Sequence, residues 1–105
     1  MYKGITPTFT LTLPNSVNLD NASNVYVSFA GRKGETLITK ASEDLSIDQN
    51  VVSVYLTQEE TLSFPTGPVN IQINWTYIEG NKTKRACSDI VTASFSKNLE
   101  QRVLT

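Results

Sequence analysis

The sequence contains no histidine, a single cysteine and no apolar run approaching the length of a membrane span. Each absence closes a class of function. Without histidine there is no Ser-His-Asp or Cys-His arrangement for nucleophilic catalysis. One cysteine, Cys87, forms no internal disulfide and cannot supply a zinc site, which draws on several Cys or His ligands. The fold must therefore rest on packing and hydrogen bonds, as suits folding in a reducing cytosol. Cys87 has Lys84 and Arg85 nearby but no base, and reads as a small half-buried strand residue. The opening MYKGITPTFT lacks the apolar stretch of a secretory signal peptide. The sequons at Asn21, Asn74 and Asn81 are accordingly read as coincidental. An excess of charge is missing too. Nine basic and ten acidic residues give a formal net charge of −1, with no general attraction for nucleic acid or an anionic membrane. Neither is expected as a partner, and the low net charge removes one barrier to self-association.

Other chemical signatures also fail. GRKGE lacks the length and following helix of a phosphate loop. The acid pairs Glu43-Asp44 and Glu59-Glu60 are adjacent on turns, whereas glycosidase chemistry needs carboxylates facing across a cleft. Asp44, Asp48 and Asn50 offer hard oxygens but match no calcium loop. Lys82, Lys84 and Arg85 sit on and just beyond a hairpin tip, without the interleaved aromatics of a nucleic-acid surface. No enzymatic activity, cofactor or metal is expected.

What is present is β-structure. Val, Ile, Thr and aromatics alternate with polar residues at period two. ITPTFTLTL sets Phe9, Leu11 and Leu13 against Thr8, Thr10 and Thr12. NVYVSFA sets Val25, Val27 and Phe29 against Tyr26 and Ser28, and ETLITKA is a shorter, wetter strand around Leu37 and Ile38. NVVSVYLT sets Val52, Val54 and Leu56 against Val51, Ser53 and Tyr55. GPVNIQINWTY carries Val69, Ile71, Ile73, Trp75 and Tyr77 on one side and Asn70, Gln72, Asn74 and Thr76 on the other. SDIVTASFS aligns Val91, Ala93 and Phe95. Pro14, Asn15, Asp20 and Asn21, then Gly31 and Gly34, then Asp48 to Asn50, then Gly80 and Asn81 supply turns between the runs. This spacing predicts an all-β fold, a single immunoglobulin-like antiparallel β-sandwich of about seven strands over residues 1–98. The expected core includes Phe9, Val27, Val54, Leu62, Ile71, Ile73, Trp75 and Phe95.

One segment departs from the pattern. Thr57-Gln-Glu-Glu60 fits a capping box, with acids at the positive end of a helix. It predicts one helical turn near residues 58–63, crossing between the sheets, with Leu62 and Phe64 inward and Pro65 ending it. Beyond residue 98, Leu99, Val103 and Leu104 have the i, i+4, i+5 spacing of a short amphipathic helix. This tail would pack on its own domain or reach a neighbouring subunit.

Two polar rows stand out. Asn70, Gln72, Asn74 and Thr76 carry no charge, and neither do Thr8, Thr10 and Thr12. Interface centres are depleted in charge, so both rows are candidate docking faces as well as ordinary solvated faces. Trp75 has two readings, a core anchor or an exposed interface residue.

The order of signals resembles a known family. VNLDNASNVYVSFAGRKGETLI, with Leu19-Asp20, Val25 to Phe29, Gly34 and Leu37-Ile38, resembles the opening of the N-terminal domain of siphophage baseplate upper proteins. NVVSVYLTQEETLSFPTGPVNIQINWTY is similar to its second half: strand, helical turn, Gly, long strand. More loosely, the chain is similar to small tailed-phage and prophage structural proteins over residues 17–98. The resemblance implies a virion structural module, made in the cytoplasm of a host bacterium. It would act by contact with other virion proteins or with its own copies, in capsid decoration, a head fibre, a tail or a baseplate. Baseplate upper proteins continue into long anchoring regions that this sequence, ending at Thr105, does not include. The alternative is a carbohydrate- or cell-surface-binding module, with Tyr26, Tyr55 and Trp75 as platforms for a host-surface glycan.

Overall fold

In the computed structural model, which describes all residues from Met1 to Thr105, the chain forms eight strands in two antiparallel sheets. In chain order, β1 is Thr8–Thr12, β2 Asn24–Ala30, β3 Thr36–Ala41, β4 Leu45–Asp48 and β5 Val51–Tyr55. A single helix, α1, spans Gln58–Leu62, followed by β6 Gly67–Glu79, β7 Lys82–Cys87 and β8 Val91–Phe95. Short 3-10 turns lie at Leu19–Asn21 and Ser42–Asp44. One sheet has the order β1-β5-β4 and the other β3-β2-β6-β7, with β8 also on β6. The two pack as an immunoglobulin-like sandwich.

The alternating rows read from the sequence become the two inner faces. Val25, Val27 and Phe29 on β2, Val52 and Val54 on β5, and Val69, Ile71 and Ile73 on β6 are buried. They form one cluster with Leu13, Leu19, Leu56, Phe64 and Phe95. All four phenylalanines of the chain line up through this core. Phe9 meets Phe29 at 6.0 Å between ring centres, Phe29 meets Phe64 at 5.9 Å, and Phe64 meets Phe95 edge-on at 5.2 Å. Tilted and edge-on contacts suit the ring quadrupole and add to the area buried.

β7 and β8 lie end to end along one edge of β6, while β2 takes the other edge. Asn74 faces Cys87, but Ile71 faces Val91. Gln72 and Ile73 therefore oppose three residues, Ser88, Asp89 and Ile90, and the edge carries a bulge. The Ser88 hydroxyl accepts from the Ile73 N–H, standing in for a missing carbonyl, and the Ser88 N–H donates to the Ile73 carbonyl.

The capping box forms as expected. Thr57 Oγ1 accepts from the Glu60 N–H, and Glu60 Oε1 accepts from the Thr57 N–H. Glu60 Oε2 also pairs with Lys40 Nζ at 2.7 Å, tying the crossover to β3. Burial alone would raise the Glu60 carboxyl pKa. Hydrogen bonds from Lys40 and Thr57 outweigh it and hold the group below its ordinary value.

The first residues close against the last strand. Tyr2 and Ser96 form a parallel bridge. The Lys3 N–H donates to Ser96 O, the Ser96 N–H donates to Met1 O, and the Asn98 amide donates to Lys3 O.

Several expectations are corrected. Leu62 is only half-buried, and Thr61 takes the inward position. With Thr57 as cap, Thr61 lies one turn on. Its hydroxyl donates to the Ile5 carbonyl and accepts from the Gly4 N–H, so burial leaves no orphaned polar atom. Phe9 and Trp75 are half-buried and pack on the margin of the core. Val91 is exposed, because it borders the bulge where the edge strand leaves the sandwich. Cys87 is exposed on the outer face of β7, opposite Asn74. The segment read as a turn before Val51 includes a strand, β4, and the basic residues read as a hairpin tip form the strand β7. The tail forms no helix, and Leu99, Val103 and Leu104 are exposed. Seven residues are too few to sustain a helix without packing. Instead the Gln58 side-chain amide brackets the backbone of Leu104, donating to its carbonyl and accepting from its N–H.

Candidate functional site

The two polar rows occupy opposite outer faces of the sandwich and do not come together. Thr8, Thr10 and Thr12 lie exposed on the three-stranded sheet, where Thr10 shares a hydrogen bond with Ser53. Asn70, Gln72, Asn74 and Thr76 run down the outer face of β6, flanked by β2 on one side and by β7 and β8 on the other.

Neighbours hold the β6 row in place. Thr92 donates to Asn70 Oδ1 at 2.8 Å, and the Gln72 amide donates to the Ser88 carbonyl at 2.9 Å. Arg85 of β7 reaches Asn74 Oδ1 with both Nε and Nη2, at 3.2 and 3.0 Å. Thr76 makes no side-chain hydrogen bond and sits opposite Asn24 and Arg85. Ser28 and Thr39 extend the polar face onto β2 and β3, linked through their hydroxyls. The outer face is thus a fixed sheet of amides and hydroxyls with one cation, Arg85, laid across it. Sequence reasoning found the row but missed the cation, because Arg85 joins the face only through the β6–β7 register.

Tyr26, Ser28, Thr39, Asn74, Thr76 and Arg85 border a recess of about 230 Å³ on this face. The three aromatics read as sugar platforms are dispersed. Tyr26 borders this recess, and Tyr55 is exposed on the other sheet. Trp75 lies at the margin of the core, where it also lines a larger apolar trough of about 390 Å³ between β1 and the bulged edge. Ile71 and Ile73 line that trough with it, and Leu11, Leu13 and Val91 flank it.

No group of three or more Cys, Asp or Glu side chains is placed to hold a metal ion. No helix is long and apolar enough to cross a membrane. No family model, curated protein or solved structure matches the chain.

Proposed function

We propose that the protein is a non-enzymatic structural module of a phage virion, working by protein–protein contact through the outer face of its five-stranded sheet. The observation that supports this reading is the Asn70–Thr76 row. It is uncharged, and three of its four side chains, Asn70, Gln72 and Asn74, are hydrogen-bonded to Thr92, Ser88 and Arg85. A pre-ordered surface loses little side-chain entropy on docking. The virion setting rests on the resemblance to baseplate upper proteins and small phage structural proteins.

The test places a charge on the row. Asn74→Lys removes the acceptor of Arg85 and sets two cations together. Thr76→Glu breaks no side-chain hydrogen bond and faces Arg85 with the opposite charge, and so serves as the cleaner variant. Both are expected to keep the wild-type circular dichroism and to lose incorporation into particles when they replace the wild-type protein. Normal incorporation of Thr76→Glu would refute the docking face.

A second reading is favoured by the recess beside Tyr26. An aromatic flanked by Asn74 and Arg85 suits a sugar ring with a charged or hydroxyl-rich edge. A glycan array in which the wild type binds and Tyr26→Ala does not would replace the docking reading with this one.

A further inference from the structure

The near-zero net charge conceals a separation. Lys82–Cys87 contains three bases and no acid, and Glu43–Asp48 contains three acids and no base. The first segment is β7. The second is the Ser42–Asp44 turn running into β4. Both strands are the last of their sheets, and no hydrogen bond beyond the ladder reaches the main chain of either. Lys82, Lys84, Arg85, Glu43, Asp44 and Asp48 are all exposed and none belongs to an ion pair. Asp20 adds a further carboxylate beside the β4–β5 turn, where it accepts from the Gln49 N–H. Glu79, opposite Lys82, is the only acid on the β6–β7 hairpin.

The two edges point away from each other. β7 continues the edge that borders the trough beside β1, whereas β4 lies at the other end of the order β1-β5-β4. Their spacings agree. β4, from Leu45 to Asp48, and Lys82 to Arg85 on β7 each cover about 10 Å of strand, at about 3.3 Å per residue, and the turn sets Glu43 and Asp44 at the start of β4. Opposite charges across neighbouring strands are stabilising and like charges are not. Pairing of β7 with β7 or of β4 with β4 therefore sets like charges against like, and of the pairings between these two edges only the unlike one is favoured.

We infer that the β7 edge is a docking site for a second copy of this chain, which adds its acidic β4 edge to extend the five-stranded sheet. The contact is head-to-tail, so the joined pair retains one free basic edge on one copy and one free acidic edge on the other. Assembly proceeds to a ring if the rotation closes and to a filament if it does not. This edge contact leaves the outer face of β6 open and does not depend on that face docking elsewhere.

Charge reversal with sedimentation velocity tests the inference. The wild type should associate with rising concentration at about 50 mM salt and dissociate near 0.5 M, where screening is short-ranged. Lys82→Glu/Lys84→Glu and Asp44→Lys/Asp48→Lys should each stay folded and lose association at least tenfold. Mixed together, they should regain it, because every junction is again between unlike edges. A wild type that remains monomeric at high concentration and low salt overturns the inference. So does a mixture that fails to reassociate, and so does association that both reversals leave intact but Thr10→Lys on the uncharged β1 edge abolishes.

Discussion

Gln49 is the one non-glycine residue with a left-handed backbone, at φ 56°. It is the first residue of the two-residue turn joining β4 to β5. The 3-10 turn holds it from both sides: Asp20 accepts from its N–H, and the Leu19 N–H donates to its carbonyl. A side chain here costs about 1–2 kcal/mol relative to right-handed backbone. Gln49→Gly should therefore stabilise the fold by about 0.5–1 kcal/mol after the entropic cost of glycine, read as a higher urea midpoint with an unchanged slope. Phe29 is the opposite case. It is fully buried and touches both Phe9 and Phe64. Phe29→Ala should cost about 3–5 kcal/mol, a large fraction of the stability of a domain this size, and should show as a broad loss of folded signal near room temperature.

The crossover helix is short, so its cap carries much of its local stability. Thr57→Ala removes the acceptor for the Glu60 N–H and should cost about 1 kcal/mol. That corresponds to a fall of roughly 4–8 °C in melting temperature. Glu60 adds a pH dependence. Its folded pKa lies below the ordinary carboxylate value of 4.5. Its contribution is thus present above pH 4.5 and is lost as pH falls from there through the depressed value. Glu60→Gln should flatten that part of the stability–pH curve in chemical denaturation. The capping box was legible because it depends on four adjacent residues. β1, β2, β5, β6 and β8 were legible because each alternates apolar and polar residues. β4 and β7 were not. LSID is short and bounded by turn-formers, and KTKRAC is half cationic. Neither propensity nor pattern names them, and pairing with β5 and β6 makes them strands. The candidate face divides the same way. The Asn-Gln-Asn-Thr row follows from period two, whereas Arg85 and Ser88 reach it only through neighbouring strands and a bulge.

At the scale of the molecule, the body measures 52 × 30 × 21 Å, with a radius of gyration of 14.9 Å. A rounder domain of this length would have about 13 Å. Elongation follows from β6, whose last residues, Tyr77 to Glu79, pair only with Lys82 to Lys84. At the tail, Leu99 is fully exposed, and the Gln58–Leu104 bonds lie at the surface. Truncation after Asn98 should therefore change stability by less than about 1 kcal/mol, measured by thermal melting. Truncation before Asn98 removes its bond to Lys3 and should cost more. That bond belongs to the clasp in which Met1 and Lys3 run parallel to Ser96. If the two ends of the domain are pulled apart, the strands of the clasp slide past each other. Its hydrogen bonds then bear load together, in shear, instead of opening one by one. Rupture under force follows the barrier to unfolding and not the equilibrium stability. The clasp thus makes resistance to tension a property of the domain separate from its thermal stability.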